Sequence, residues 1–432
     1  MSNKKRLIIT LSGCVQGVGF RPFVYHLARQ HGLVGHVKNT SIGINIDVQG
    51  ETCALADFQR NLAEKKPNRA WISEMKVEED ALCNAECFEI IPSVSQEKTD
   101  LALLPDTAIC SDCLQELFDP KNRRHRYPFL HCMTCGPRFS LFLRMPFDRQ
   151  NTTMIDFPMC RQCQNEYDNP LDRRFYSQTN CCPACGPELK LLDRQQNLLS
   201  HKQQAIDAAV DLLKQGKIVA LKNTGGFLLL ADATNQAAVD RLRILKKRKK
   251  KPFAVLMPTL SEAKQIATID QVAEELLTSA GAPIVLLEKK NTLPPSIAFD
   301  SPYYGIMLAH NPLQHLLLDT FKRPLVATSG NISGKPICIE EKEAFHQLGA
   351  VADGFLVHNR RIMHRLDDSI VQIIGHRPTV IRRARGYIPY AVELPQHFYS
   401  SQCIFGAGGH LKPPKCCPVW TSGLRSGNRR TP

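Results

Sequence analysis

Long apolar runs are missing from this chain. Nowhere in its 432 residues does a stretch approach the roughly 20 consecutive apolar residues that a membrane-spanning helix requires. The amino terminus, MSNKKRLIITLSG, also lacks what export needs: its apolar run is short and strand-like, and no small-residue cleavage site follows. Cysteines are plentiful, but nine of the 17 are scattered without pairing logic, which argues against an oxidising compartment. Together these absences argue against a membrane or disulfide-stapled secreted protein and lead to the expectation of a reduced, cytoplasmic, soluble chain. Its length allows several domains, each with its own core.

The other eight cysteines are ordered. Cys110-x2-Cys113-x18-Cys132-x2-Cys135 recurs fifty residues on as Cys160-x2-Cys163-x18-Cys182-x2-Cys185. Each ladder offers four thiolates in two close pairs, the donor set of a tetrahedral zinc site. The copies also share Pro120/Pro170, Arg123/Arg173, Arg124/Arg174 and a closing Cys-Gly-Pro. Four thiolates with no open position point to structural rather than catalytic metal, Zn2+ in two sites. Spacing alone leaves open which pairs share an ion; each ladder closing on itself is the expectation, with Cys181 surplus. The intervening stretches are too polar to build a core, so metal binding would supply much of the folding free energy, about 10 kcal/mol or more per site. Neither ladder has the helix-in-groove pattern of a DNA reader.

Lys and Arg total 55 against 41 Asp and Glu, a formal net charge of +14. Part of that excess is local: Arg241, Arg243 and the run from Lys246 to Lys251. Such a cluster attracts anions, whether nucleotide, phosphate or nucleic acid, although a solvated helix face would read the same.

In the first ninety residues, periodicity predicts strands over 6–12, 34–39, 43–49 and 86–91 and helices over 21–32 and 54–65. That order is the split β-α-β-β-α-β, or ferredoxin-like, pattern. The Gly-rich loop Val15, Gln16, Gly17, Val18, Gly19, Phe20 leads into the first helix, where converging N–H groups and the helix dipole favour an anion. Arg21 adds a bidentate fork for a phosphoryl group, and Asn39 at the end of the next strand is placed to orient a water. This segment resembles the acylphosphatases, whose V-Q-G-V-G-F-R stretch stands here as Val15–Arg21. The resemblance implies that Arg21 and the loop amides bind phosphate while Asn39 positions the attacking water. Cys14 is expected to be structural, having no His beside it in sequence.

Past residue 200 the pattern is α/β: helices over 203–215, 235–247, 260–267 and 270–279 alternate with strands over 217–222, 252–257 and 283–287. A strand from Pro324 runs into the small-residue loop Ser329-Gly-Asn331-Ile-Ser-Gly. Lys246-x-Arg248, Lys251 and Ser329-x-Asn331 look like the K-x-R and S-x-N elements of the YrdC family, which implies ATP binding by these residues together with Lys222. At the first strand Lys222-Asn-Thr-Gly-Gly-Phe-Leu228 departs from that part's usual K-G-I-G-G-F-H. Asp367 and Asp368 are candidates to hold Mg2+ with the nucleotide or to pair with Arg365 or Arg382.

The expected fold class is thus multidomain α+β and α/β: a ferredoxin-like acylphosphatase domain over 5–92, a tandem four-cysteine zinc module over 105–190 and a YrdC-like α/β domain over 200–390. A linker and aberrant tail follow over 391–432, where 405–409 read as the start of a missing actin-like domain. In that order the parts resemble the HypF-type carbamoyltransferases of nickel–iron hydrogenase maturation. The resemblance implies hydrolysis of carbamoyl phosphate, adenylation of carbamate with ATP and Mg2+, and transfer to the C-terminal cysteine of a HypE-type acceptor. The missing domain leads to the expectation that this last transfer fails here. The alternatives are tRNA threonylcarbamoyladenosine synthesis of the YrdC type and zinc-stabilised nucleic-acid binding; no membrane partner is expected.

Overall fold

The computed structural model describes residues 3–93 and 104–390, with the backbone of 403–406 and 415–418. Those last two segments pair as short antiparallel strands; the rest of the 391–432 tail lies outside the described residues, and with it the reading of a missing domain. Among the described residues no helix is long and apolar enough to cross a membrane.

The first body contains β1 (Lys4–Cys14), α1 (Phe20–Gln30), β2 (Val34–Thr40), β3 (Gly43–Glu51), α2 (Thr52–Glu64), β4 (Trp71–Asp80) and β5 (Phe88–Ile90). Alternation in β1 sends Leu7, Ile9 and Leu11 inward to meet Ile44, Ile46 and Val48 of β3. Val24, Leu27 and Phe58 of the two helices close that core, each such side chain worth about 1.5–3 kcal/mol on burial. The sheet order is β4-β1-β3-β2-β5. The expected pattern therefore holds, with one added strand. β4 lies antiparallel along β1 at the sheet edge, where its run of Glu and Lys stays exposed. Charged edge strands resist further pairing.

In the second body α3 (Ser111–Phe118) and α4 (Arg161–Asp168) each begin one residue after the first cysteine of a ladder. Turns complete each copy, and a connector over 136–159 joins them.

The third body holds β6 (Leu189–Leu192), β7 (Leu198–His201), α5 (Lys202–Lys214), β8 (Val219–Lys222), β9 (Phe227–Asp232), α6 (Gln236–Leu245), β10 (Ala254–Met257), α7 (Leu260–Ile266), α8 (Gln271–Thr278), β11 (Ile284–Glu288), β12 (Tyr303–Leu308), α9 (Pro312–Phe321), β13 (Leu325–Ser329), α10 (Glu341–Leu348), β14 (Gly354–His358), β15 (Ile370–Ile374) and β16 (Arg377–Arg382). They form one mixed sheet, β16-β15-β11-β12-β10-β13-β9-β8-β14-β6-β7. One face packs on α6, α7, α8 and α10. The other packs on α5 and α9 and is continuous with Leu117, Tyr127, Phe129 and Leu141 of the cysteine module. The second and third bodies therefore share a core.

Candidate active sites and metal centres

The turn after β1 aims the loop at a small pocket. Gly19 precedes α1 with φ 80°, a left-handed conformation that glycine enters freely; a Cβ there would lie 2.9 Å from Met133. Gln16 is pinned by donating to Thr40 O and Gly43 O at 2.7 Å each. Val15, Gly17, Arg21 and Asn39 line the pocket with Phe147 and Tyr176. Arg21 is 8% exposed and Asn39 1% exposed. With the Asn39 amide turned so that its oxygen faces the guanidinium, it accepts from Arg21 Nη2 and Nε at 3.2 and 3.3 Å. Sequence reasoning placed these residues in one site, and the fold brings them together.

It did not foresee the roof. Arg21 Nη2 pairs with Asp148 Oδ1 at 2.7 Å, and its guanidinium lies 5.5 Å from the Tyr176 ring centroid. Phe147 N donates to Gln16 Oε1 at 2.9 Å. Buried Arg138 donates from Nε to Gly17 O at 2.8 Å, holding that carbonyl and leaving loop N–H groups for an anion. All four residues come from the cysteine module. The Cys14 thiol is buried and pushed up to about 12 by desolvation, which suits a packed residue and not a nucleophile.

The ladders close on themselves. The Sγ atoms of Cys110, Cys113, Cys132 and Cys135 lie within 4.8 Å of one another, as do those of Cys160, Cys163, Cys182 and Cys185. Resolved separations of 3.6–3.7 Å match the edge of a tetrahedron with metal–sulfur bonds of about 2.3 Å. Cys181 is outside the second group; its Sγ meets Phe129 O and Tyr127 OH.

The paired arginines cross over. Arg123 Nη2 donates to Cys163 Sγ at 3.1 Å, and Arg173 Nη2 to Cys113 Sγ at 3.3 Å. Arg123 and Arg124 also bind Glu166, and Arg173 and Arg174 bind Glu116. Burial works against ionisation of Glu166, but hydrogen bonds from Arg124 and Arg123 prevail and hold it at about 2. Each ladder thus supplies guanidinium donors to the other's sulfurs, and such donors stabilise thiolate.

A larger cavity of about 260 Å3 opens over the strand ends of the third body, lined by Arg248, Lys251, Ser329, Asp367, Asp368 and Arg382. Lys246 is buried behind it. Its Nζ donates to Ser329 O and, at 2.9 and 3.0 Å, to Asn331 O and Oδ1, fastening the Ser329–Asn331 loop. Desolvation draws its pKa down to about 7 and that of Arg248 to about 10. Asp368 pairs with Arg385 at 2.8 Å and its carbonyl accepts from Arg382; Arg365 pairs with Glu343. Lys222 stands apart from this cavity, its Nζ held by Glu341 at 3.0 Å and His358 O at 2.8 Å.

Three family profiles match the chain: Acylphosphatase over residues 7–90, HypF finger over 109–142 and 159–192, and Sua5/YciO/YrdC (Telomere recombination) over 211–384. The chain is 48% identical over 410 residues to a carbamoyltransferase HypF of Synechocystis, covering 94% of this chain and 53% of that one. A probable carbamoyltransferase HypF of Methanocaldococcus jannaschii is 38% identical, with coverage of 96% and 54%. Among solved structures, a full-length HypF in a phosphate- and nucleotide-bound form superposes with TM-score 0.86 at 42% identity, over 89% of this chain and 51% of that one. A HypF of T. kodakarensis superposes with TM-score 0.84 at 38% identity, over 90% and 50%. The chain spans about half the length of the curated relatives it matches.

Proposed function

The chain belongs to the HypF carbamoyltransferase family over the half of that family's length it spans, and from that premise we propose that it releases carbamate from carbamoyl phosphate and then adenylates it. The observation that carries the reading is the small pocket that brings Arg21 and Asn39 together with Gly17 and Gly19 of the loop. Arg21 and the loop N–H groups take the phosphoryl oxygens, and Asn39 orients a water whose oxygen attacks phosphorus. The P–O bond to the carbamoyl group breaks, giving phosphate and carbamate. Preorganised donors meet the developing charge without a covalent nucleophile.

In the larger cavity, Arg248 and Lys251 are placed to neutralise the triphosphate of ATP, and Ser329 to contact the nucleotide. Lys246 and Asn331 act from behind as the brace of that loop. The Asp367 carboxylate would hold a Mg2+ ion accompanying the nucleotide. Carbamate oxygen attacks the α-phosphorus, pyrophosphate leaves, and carbamoyl-adenylate forms. Zinc is the ion we assign to the two thiolate tetrads, as structural support. The acceptor implied by the family resemblance is the C-terminal cysteine of a HypE-type protein.

The test uses the zinc-loaded chain. Phosphate release from carbamoyl phosphate should fall to the buffer rate in Arg21→Ala, and AMP or pyrophosphate should form from ATP only when carbamoyl phosphate is present. A chain that leaves carbamoyl phosphate intact refutes the reading. Similarity to threonylcarbamoyl-AMP synthase of Vibrio cholerae, 29% identical over 35% of this chain, supports a second reading. Threonine-dependent AMP formation without carbamoyl phosphate would favour it.

A further inference from the structure

The phosphate pocket continues outward into a vestibule. The pocket itself offers about 20 Å3, room for little beyond a phosphoryl group. The vestibule outside it offers about 510 Å3. Arg21, Tyr176 and Gln178 line both spaces, whereas Asn39 lines only the pocket and Asp148 only the vestibule. In-line displacement sets the attacking water and the leaving group on opposite sides of phosphorus. With the water on the Asn39 side, the acyl end of a substrate projects toward Asp148.

What that end meets is selective. Asp148 supplies the only carboxylate among the described residues that line the vestibule. Its side chain is 13% exposed, and its Oδ1 is taken by Arg21 Nη2 at 2.7 Å. Its Oδ2 has no hydrogen-bond partner among the described residues. Backbone bonds hold the carboxylate in place: Asp148 N donates to Pro146 O at 2.9 Å, and Asn151 N donates to Asp148 O at 2.8 Å. Polar neighbours are already engaged. Gln178 Nε2 donates to Tyr167 OH and Tyr176 O at 3.0 and 2.7 Å, and its Oε1 accepts from Arg149 N at 2.8 Å. The Arg149 guanidinium in turn donates to Gln178 O and Asn180 O.

A carboxylate with one oxygen unmet favours a substrate that brings a donor. An acyl group ending in methyl would leave Oδ2 unpaired beside the substrate's own negative charge, which counts against binding. An acyl group ending in NH2 supplies an N–H and forms a charge-assisted hydrogen bond there.

We propose that Asp148 reads the amino group of carbamoyl phosphate, its Oδ2 accepting one N–H while its Oδ1 keeps hold of Arg21. This inference rests on the reading above, in which carbamoyl phosphate is cleaved in this pocket, and adds the residue that tells it from other acyl phosphates. The connector between the two ladders thereby sets the substrate choice of a loop that belongs to another body.

Two uncleavable isosteres test the preference by calorimetry on the zinc-loaded full chain, without turnover. Phosphonoacetamide keeps the NH2 of carbamoyl phosphate; acetonylphosphonate carries methyl in its place, as acetyl phosphate does. The wild type should bind the amide roughly tenfold or more tightly than the ketone, the scale of one hydrogen bond to a charged group. Arg21→Gln should remove binding of both, which places them in the phosphate pocket. In Asp148→Asn the side-chain oxygen stays on Arg21 and the NH2 faces the ligand, so two donors meet and the preference should vanish. Loss of aim in Arg21 weakens both ligands alike and leaves their ratio unchanged, so the ratio isolates the contact. Should that variant fail to fold, N,N-dimethylated phosphonoacetamide removes the N–H from the ligand instead, and the wild type should bind it no better than the ketone. Equal affinities in the wild type overturn the inference, as does a preference that survives Asp148→Asn, one kept by the dimethylated amide, or binding indifferent to Arg21→Gln. A preference that depends on Asp148 in a chain that leaves carbamoyl phosphate intact keeps the amine contact and removes the reaction. Cleavage of carbamoyl phosphate without the preference keeps the reaction and removes the contact.

Discussion

Arg21 Nη2 and Asp148 Oδ1 sit 2.7 Å apart across 127 residues of sequence, so the guanidinium proposed to grip phosphate is aimed by a carboxylate from the connector between the two ladders. A buried arginine with one such partner has a fixed fork, and a fork is useful only when its direction is right. Asp148→Asn should therefore lower kcat/KM for phosphate release by roughly ten- to a hundredfold while the protein still melts cooperatively. Unchanged kinetics would show that Asn39 and Tyr176 orient Arg21 without it.

Gly19→Ala probes the same pocket from the backbone. Its left-handed φ and the close approach of Met133 both oppose a Cβ, so a loss of about 1–2 kcal/mol in stability is expected, together with weaker phosphate binding. Denaturant melts and phosphate competition would measure the two effects. Wild-type stability in this variant would mean the loop relaxes away from Met133.

Metal removal should reach beyond the ladders. Arg138, Phe147, Asp148 and Tyr176 all roof the phosphate pocket from the module that the thiolates organise. A strong chelator is therefore expected to abolish phosphate release along with the module's structure, and zinc to restore both. Activity that survives in the metal-free protein, by thiol titration and metal analysis, would separate the two.

The Lys246 ammonium, drawn down to about 7 by burial, gives the nucleotide step a pH signature. A polyanion favours the protonated amine, so this contribution to affinity is fully present below pH 7 and fades as pH rises through it. Binding in turn raises the pKa and takes up a proton. Nucleotide affinity should weaken by roughly tenfold per unit of pKa separation between free and bound forms, and Lys246→Gln should flatten the profile. Calorimetry in buffers of different ionisation enthalpy reads the proton directly.

The ladders and the Gly17–Arg21 loop were legible because each is local: cysteine spacing and a strand–loop–helix order are visible in one dimension. Asp148, Phe147 and Tyr176 carry no such spacing, and only tertiary contact brings them to Arg21. β9, Phe-Leu-Leu-Leu-Ala-Asp, is buried on both faces, so its unbroken apolar run has no alternation to separate strand from helix. β4 fails the opposite way: an edge strand full of Glu and Lys reads as a loop until its pairing with β1 is seen. Lys222 matched a family position by sequence, yet its Nζ turns to Glu341 and His358 O; a side chain's direction is not written in its neighbours.

Because the forks of Arg123 and Arg173 end on the opposite ladder's sulfurs, neither half of the module is a transplantable part. A chimera that imports a foreign first ladder would keep its own second metal tightly only if the donor brings guanidiniums three and four steps after the position of Pro120. Protein engineers who wish to graft or shorten this region must therefore handle both copies together, as a single inheritance.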